Sequence, residues 1–474
     1  MEIFKNTSWI MISQIITSIF GFVWVILIAR YLGVSEFGIL TFGISFASLM
    51  AIFMDLGIST YTTRDLSRDP ELASKYIGNG IPLKIVLSLL SFFASLAILI
   101  IMGYDSLTIE VALIFTIQFI FFTMGHLFNG AFQAYGKLKY QAISIILNSC
   151  LLLIGTLFVI VTDLGIYSVA MVYLTSSLIT LTYLYIKSNS EIVRASLQFD
   201  LAFWKKSVKN AIPFGLTGIF TSIYFLIDTV MLSFMKGSVA VGIYSSAYKI
   251  ITVFTTLYMV YNFVIFPLMS SLYKNSADML KISYEKSVKY LLMMVLPIAI
   301  GISYYAEPVV LLIYGSQFAH ASYVLQILIW NVIFLFINGA STLLLNSSNK
   351  EVAVTKINFI ACIFNFITNL ILISYFSYIG ASIGTVMTGI LICAIMAYII
   401  IKSEYQPDFA LLKDIVKIII SNLILGIILY VASLPFIIAI PVAIITYLIA
   451  IALTKTLDST DIGIIKEIIG KKDK

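Results

Sequence analysis

The sequence predicts an all-α polytopic membrane protein with about fourteen transmembrane helices. They are expected as two six-helix lobes in a pseudo-two-fold repeat, followed by a C-terminal helix pair. Three observations carry this. The apolar runs are about 20 residues long, the length a helix needs to cross a hydrocarbon core. Of 474 residues, 61% are hydrophobic and 11% charged, with a mean hydropathy of +1.05; a soluble domain carries about 25% charged residues. Lys and Arg alternate between successive connections. In lipid the backbone can be satisfied only within helices or a closed barrel, and runs without polar–apolar alternation select helices.

In chain order the helices are expected near 7–29, 38–61, 77–103, 108–132, 139–161, 165–187, 211–235, 239–270, 287–314, 321–345, 354–377, 379–402, 413–432 and 436–454. The first run begins at Thr7, without a basic leader of useful length or a small-residue cleavage site, and reads as a retained helix. Short separations make 139–161/165–187 and 354–377/379–402 tight helical hairpins.

Orientation follows from the basic residues. With the N-terminus inside, 25 of the 29 Lys and Arg fall in inner segments. Arg30 and Lys236 stand in outer loops, and Lys84 and Lys249 lie within helices. This places both termini in the cytoplasm and the chain in the cell membrane. The net charge of +6 is then a topology signal, with little support for nucleic-acid binding. The expected organisation is an N-lobe at 1–187, a linker at 188–210, a C-lobe at 211–403, and a terminal pair with its tail at 404–474. The linker holds Leu197, Phe199, Leu201 and Trp204 beside Lys205, Lys206 and Lys209, and reads as an amphipathic helix on the inner leaflet. The tail IGIIKEIIGKKDK reads the same way. A solvated tether is the alternative for both.

The halves repeat. RYLGVSEFGIL at 30–40 matches FMKGSVAVGIY at 234–244, with Gly33 on Gly237, Gly38 on Gly242 and Ile39 on Ile243. FNGA at 128–131 echoes INGA at 337–340, and Gly165 echoes Gly380. An even number of helices per unit keeps both copies in one orientation, related by an axis along the membrane normal.

No metal or catalytic motif is present. Cys150, Cys362 and Cys393 fall in apolar runs, and the two histidines are His126 and His320. The sequence makes no case for an enzyme. Ionisable residues inside the spans are costly and mark a path or a pair. Asp228 and Lys249 lie at similar depth in helices seven and eight, and Asp55 and Lys84 in helices two and three. Each set fits a polar substrate path or a structural ion pair. Only the scaffold repeats: the same offset puts Trp24 and Ser45 opposite Asp228 and Lys249. Arg30 and Lys236 fit either contacts to a phosphate-bearing headgroup at the outer mouth or interfacial anchors. Arg64 and Arg68 fit the same headgroup on the inner side or the positive-inside rule. Pro82, Pro213, Pro267, Pro297 and Pro308 suit kinked helices that rock between states. Tyr244, Tyr248, Tyr258, Tyr261 and Phe266 fit sugar stacking or packing.

GVSEFGIL, FMDLGIST with Arg64 after it, IDTVML, VGIYSSAYKI and PVVLLIYGSQF at 308–318 resemble the signature stretches of Wzx-type polysaccharide-biosynthesis flippases, in the multidrug/oligosaccharidyl-lipid/polysaccharide exporter superfamily. The resemblance covers about residues 1–403. It implies a two-lobed helical transporter, a monomer among membrane lipids. Such a transporter moves a polyprenyl-(pyro)phosphate-linked oligosaccharide outward by alternating access, through a cationic central cavity. It leaves the coupling ion open between H+ and Na+. The alternatives are a drug/cation antiporter, whose usual acid in helix one is missing from 7–29, and a non-transporting scaffold, which the buried charges disfavour.

Overall fold

The computed structural model describes residues 2–194, 196–458 and 461, with backbone only at 2–8, 217, 221, 263 and 275. The tail 462–474 lies outside the described residues. The described chain forms fifteen α-helices and two short 3-10 turns. In order they are α1 (Glu2–Asp55), α2 (Ile58–Arg68), α3 (Ala73–Ile101), α4 (Ser106–Ala134), α5 (Leu138–Thr162), α6 (Gly165–Glu191), α7 (Leu201–Lys236), α8 (Ser238–Asn275), α9 (Ala277–Tyr304), α10 (Ala306–Tyr314), α11 (Ala321–Leu328), α12 (Asn331–Ser347), α13 (Glu351–Ile401), α14 (Phe409–Ala432) and α15 (Phe436–Leu453).

Among the described residues, eleven helices are long and apolar enough to cross a membrane, or twelve if the bent pair 201–220 and 222–236 counts as one. The expected fourteen separate helices are therefore not found as such. The reason is local. Helices α1 and α13 run on through single-residue breaks, at Gly33 (φ 70, ψ −179) and Ser377 (φ 52, ψ −133), instead of ending in loops. Their apolar spans of 47 and 51 residues measure roughly 70 Å or more at 1.5 Å per residue, over twice a bilayer core of about 30 Å. Elsewhere the expected helices are cut: 287–314 becomes α9 and α10, separated at Tyr305, and 321–345 becomes α11 and α12. The expected surface helix at 188–210 is instead the end of α6, a loop and the first turns of α7. Asp200 caps α7 by accepting the Phe203 amide. The loop is pinned to α3 because Gln198 N donates to Gly78 O and Asp200 N donates to Asn79 Oδ1, both at 3.0 Å.

The chain divides into two compact units. One comprises Met1–Lys249, Tyr314–Phe318 and Asn358–Ala381; the other comprises Ile250–Ile313, Ala319–Ile357 and Ser382–Lys474. Both α8 and α13 contribute residues to each.

In the first unit the repeated glycines touch. Gly33 and Gly237 have nearly the same backbone conformation (φ 70 and 81, ψ −179 in both). A Cβ on Gly38 would lie 1.9 Å from the Ser238 carbonyl oxygen, and a Cβ on Gly242 would lie 2.0 Å from the Val34 carbonyl oxygen. The contact is reciprocal, as a two-fold relation between the copies requires, and Ser35 Oγ and Ser238 Oγ meet beside it at 3.1 Å. The FNGA and INGA glycines share a role: Gly130 admits Thr63 of α2, and Gly339 admits Tyr258 of α8, in the second unit. Gly165 and Gly380 differ. Gly165 takes positive φ at the start of α6, whereas in α13 that conformation falls on Ser377 and Gly380 instead makes room for the Leu372 carbonyl.

In the second unit α14 and α15 pack on α9. Tyr447 donates to Met293 O at 2.7 Å and Tyr305 to Leu434 O at 2.8 Å. An ionic cluster closes one end: buried Lys289 meets Asp461 at 2.6 Å and Asp414 at 2.8 Å, and Lys286 meets Asp458 at 2.8 Å. Burial of Asp461 works against its ionisation. Hydrogen bonds from Lys286, Lys289 and Tyr290 outweigh that and hold its carboxyl below the ordinary range.

Gly38→Ala and Gly242→Ala are expected to destabilise by similar amounts, about 1–3 kcal/mol each, because backbone cannot move aside as a side chain can. Gly301→Ala, where a Cβ meets nothing within 4 Å, is the neutral control, and melting in detergent reads all three. Asp461 has a lowered folded pKa, so its stabilisation is present above its ordinary value of 3.8 and is lost as pH falls through the folded value. The gap in melting temperature between wild type and Asp461→Asn is therefore full above about pH 5 and closes in stronger acid; a gap independent of pH contradicts this assignment.

Candidate functional site

Helices α1, α2, α4, α5 and α6 line an open-sided cavity of about 680 Å³ within the first unit. Its wall sets many polar side chains among apolar ones, although the helices are apolar. Helix α1 supplies Gln14 and Thr17; α2 supplies Ser59, Thr60, Thr63 and Arg64; α4 supplies His126, Asn129 and Gln133; α5 supplies Gln141, Ser144, Asn148 and Ser149; and α6 supplies Ser177 and Thr180. Phe121, Phe122, Ile145, Leu181 and Leu184, with Gly125 and Gly130, complete the wall. Arg64 aside, these residues went unnoticed in the sequence because each is uncharged or isolated. The missed signal is periodic: His126, Asn129, Gln133 and Gln141, Ser144, Asn148 both fall at i, i+3, i+7, one face of a helix.

Three features shape the wall. Asn129 Oδ1 is buried with no hydrogen-bond partner. The His126 ring lies 4.4 Å from Phe122, centroid to centroid. Arg64 lies over Tyr61 and Phe214, 5.1 and 5.3 Å from their centroids. It also donates to Asp65 from Nε at 3.0 Å and Nη2 at 2.9 Å. Asp65 in turn accepts Tyr76 Oη at 2.6 Å. Burial pushes the Asp65 carboxyl up, but bonds from Tyr76 and Arg64 outweigh this and leave it below the usual range.

Of the charges expected to carry function, Arg64 alone lines this cavity. The structure brings Asp55 and Lys84 together behind its wall. Lys84 is fully buried. Its ammonium donates to Asp55, to Ser59 Oγ at 3.0 Å and to Thr123 O at 2.5 Å. An ammonium has three protons, so the group is fully satisfied, and Ser59 stands between it and the cavity. Asp228 is buried in α7 and accepts from Tyr244 Oη at 2.7 Å and from Asn369 Nδ2 of α13. The sequence reading missed both partners. At the matching place in the first repeat, Trp24 donates to Thr156 of α5 at 2.7 Å. Lys249 is half-buried, five residues beyond Tyr244 on α8. Lys236 is exposed and donates to Ser374 O at 2.8 Å, three residues before the Ser377 break. Arg30 is exposed. No group of three or more His, Cys, Asp or Glu suited to a metal occurs among the described residues.

The sequence signature described as polysaccharide biosynthesis protein matches residues 3–273, more than half of the chain. The chain belongs to that family. A second signature, MatE, matches 213–371. Together they set this polysaccharide biosynthesis protein in the multidrug/oligosaccharidyl-lipid/polysaccharide exporter superfamily, as a multi-pass membrane protein. An uncharacterized membrane protein of Methanocaldococcus jannaschii is 28% identical over 190 residues, 39% of this chain and 38% of that one. The probable low-salt glycan biosynthesis flippase Agl15 of Haloferax volcanii is 24% identical over 238 residues, 50% and 49% of the two chains. The chain thus spans half or less of the length of these two relatives. The solved structure of lipid II flippase MurJ, in an inward closed conformation, superimposes with a TM-score of 0.78 at 19% identity, over 93% of this chain and 97% of that one. That likeness is one of fold.

In this family member Lys84→Ala is expected to cost up to about 3–5 kcal/mol, because it leaves the half-buried Asp55 carboxylate uncompensated. The double variant Lys84→Met, Asp55→Leu is expected to recover most of that loss. Melting in detergent reads both, and a double variant no more stable than Lys84→Ala rules out a structural role for the pair.

Proposed function

We propose that this polysaccharide biosynthesis protein is a flippase that moves a polyprenyl-(pyro)phosphate-linked oligosaccharide from the cytoplasmic to the outer leaflet by alternating access. One observation carries the reading: a cavity between apolar helices whose wall sets carboxamides, hydroxyls and Arg64 among apolar side chains. Moving a sugar hydroxyl into hydrocarbon without a replacement hydrogen bond costs several kcal/mol, so a path through protein must supply such bonds. Arg64 is suited to the (pyro)phosphate. It lines the cavity and commits two of its five N–H donors to Asp65. The lipid tail remains in the membrane. The Lys and Arg distribution favours cytoplasmic termini, and the reading assigns the chain no bond-making chemistry.

The MatE match favours a second reading, a drug antiporter. The cavity argues against it, because no carboxylate occurs among its described lining residues. The test is proteoliposome transport of a fluorescent polyprenyl-pyrophosphate oligosaccharide and, separately, of a cationic dye. Wild type is expected to move the first and not the second. Arg64→Ala should lower the rate about tenfold or more, the effect of losing a hydrogen bond to a charged group, and Arg64→Lys should fall between. Dye movement without glycolipid movement overturns the flippase and supports the antiporter.

A further inference from the structure

We infer that residues 196–209, between α6 and α7, form a foot that docks on anionic lipid headgroups of the cytoplasmic leaflet, whatever cargo the chain carries.

The loop is built rather than slack. Gln198 N and Asp200 N donate to Gly78 O and Asn79 Oδ1 of α3, and Asn79 Nδ2 donates in return to Gln198 Oε1, all at 3.0 Å. Gly78 admits the loop, because a Cβ there would lie 2.4 Å from the Ser196 carbonyl oxygen. Phe203 then packs edge-on against Tyr76, 5.0 Å between centroids, and Lys75 Nζ lies 5.3 Å from the Phe203 ring centre. Gln198 is thus turned to α3, whereas Leu197, Phe199 and Leu201 are 61, 72 and 74% exposed.

Neither water nor hydrocarbon suits such a segment. Exposed large apolar side chains clustered beside polar ones mark an interaction surface. Hydrocarbon excludes non-helical backbone with open N–H and C=O groups. The boundary between them accommodates both, since apolar side chains enter the leaflet while the backbone stays hydrated. Trp204 follows directly, a residue type favoured at that boundary. Helix α7 runs from here into the bent apolar pair 201–220 and 222–236, which holds the foot at the membrane rather than free in solution. Docking of this kind needs no surface helix.

Charge selects the lipid. Between 194 and 209 stand four basic residues and one acid, Asp200, whose carboxylate is engaged in capping α7. Lys205, Lys206 and Lys209 are exposed, one to two turns beyond Leu201, and form no ion pair among the described residues. Lysines set beside apolar side chains match an anionic headgroup layer. The segment falls on the side where most Lys and Arg lie, which is the cytoplasmic one.

The test places an environment-sensitive fluorophore on Phe199→Cys, in the full chain with Cys150, Cys362 and Cys393 replaced by Ala, reconstituted in vesicles. Brominated phosphatidylglycerol and brominated phosphatidylcholine are compared as quenchers at equal mole fraction. Both are expected to quench, with a preference for the anionic lipid. The preference should fall about fivefold in Lys206→Gln, the effect of one lysine near an anionic surface. It should vanish in the triple variant Lys205→Gln, Lys206→Gln, Lys209→Gln and at high salt. Wild type with its cysteines intact supplies a second readout: added phosphatidylglycerol should raise its melting temperature in detergent more than that of the triple variant. No quenching by either lipid identifies a solvated tether and overturns the inference. So does equal quenching by the two lipids, or the same lipid-dependent rise in melting temperature in both chains. Neither readout requires transport, so a chain that flips nothing leaves the foot standing.

Discussion

Everything in the first unit hangs on a backbone crossing in which two chain segments approach closer than any side chain permits. Gly38 lies against the Ser238 carbonyl and Gly242 against the Val34 carbonyl. Both pairs obey the offset of 204 residues that relates Gly33 to Gly237. In hydrocarbon, helix association gains little from burying apolar surface, and close backbone packing takes its place. Small residues are therefore required at the crossing. The extended ψ at Gly33 and Gly237 redirects the chain just before each close approach. One local solution, used twice, brings the two copies together about a shared axis, and it needs no charge.

Polar groups inside the helices then fall into two kinds, closed and open. Lys84 is closed: every proton has an acceptor, and the charge is neutralised within the packing. Lys289 is likewise closed by Asp461 and Asp414. The cavity wall is open, with carboxamides that find no partner among the described side chains. Burying a charge without a partner is far more expensive than burying an amide. The chain therefore tolerates open amides and not open charges. Asp228 shows the same economy at a repeated position: both copies join the helix to a neighbour at this depth, by Trp24 to Thr156 in one and by Asp228 to Asn369 and Tyr244 in the other.

What the sequence reveals follows from how locally each feature is encoded. The glycine repeat was readable because a positive φ and a crowded backbone leave few residue choices. The Asp55–Lys84 pair was readable because charge in an apolar run is rare. The break at Tyr305 was readable as a kink, because Pro308 crowds the carbonyl four residues before it, that of Tyr304, where α9 ends; the interruption at Ile329 and Trp330 was not, since no proline or glycine sits there to stop a helix. Lys286 and Lys289 passed as topology charges because their partners Asp414, Asp458 and Asp461 are more than a hundred residues away. The cavity was hidden for a different reason. Gln, Asn, Ser and Thr in a membrane helix serve helix contacts as readily as ligands, and only folding shows that five helices turn those faces toward one space.

This distinction bears on where selectivity resides. A polytopic chain with net charge +6 invites the expectation of a cationic lumen for an anionic cargo. In the first unit Lys84 is spent on Asp55, while Arg64, shared with Asp65, stays in the cavity wall. Beside that one guanidinium the wall offers uncharged groups, carboxamides and hydroxyls set among apolar side chains. A ligand that leaves the buried Asn129 carboxamide oxygen unpaired bears that cost, and it is this penalty on the wrong ligand, more than attraction for the right one, that makes a site of this kind selective.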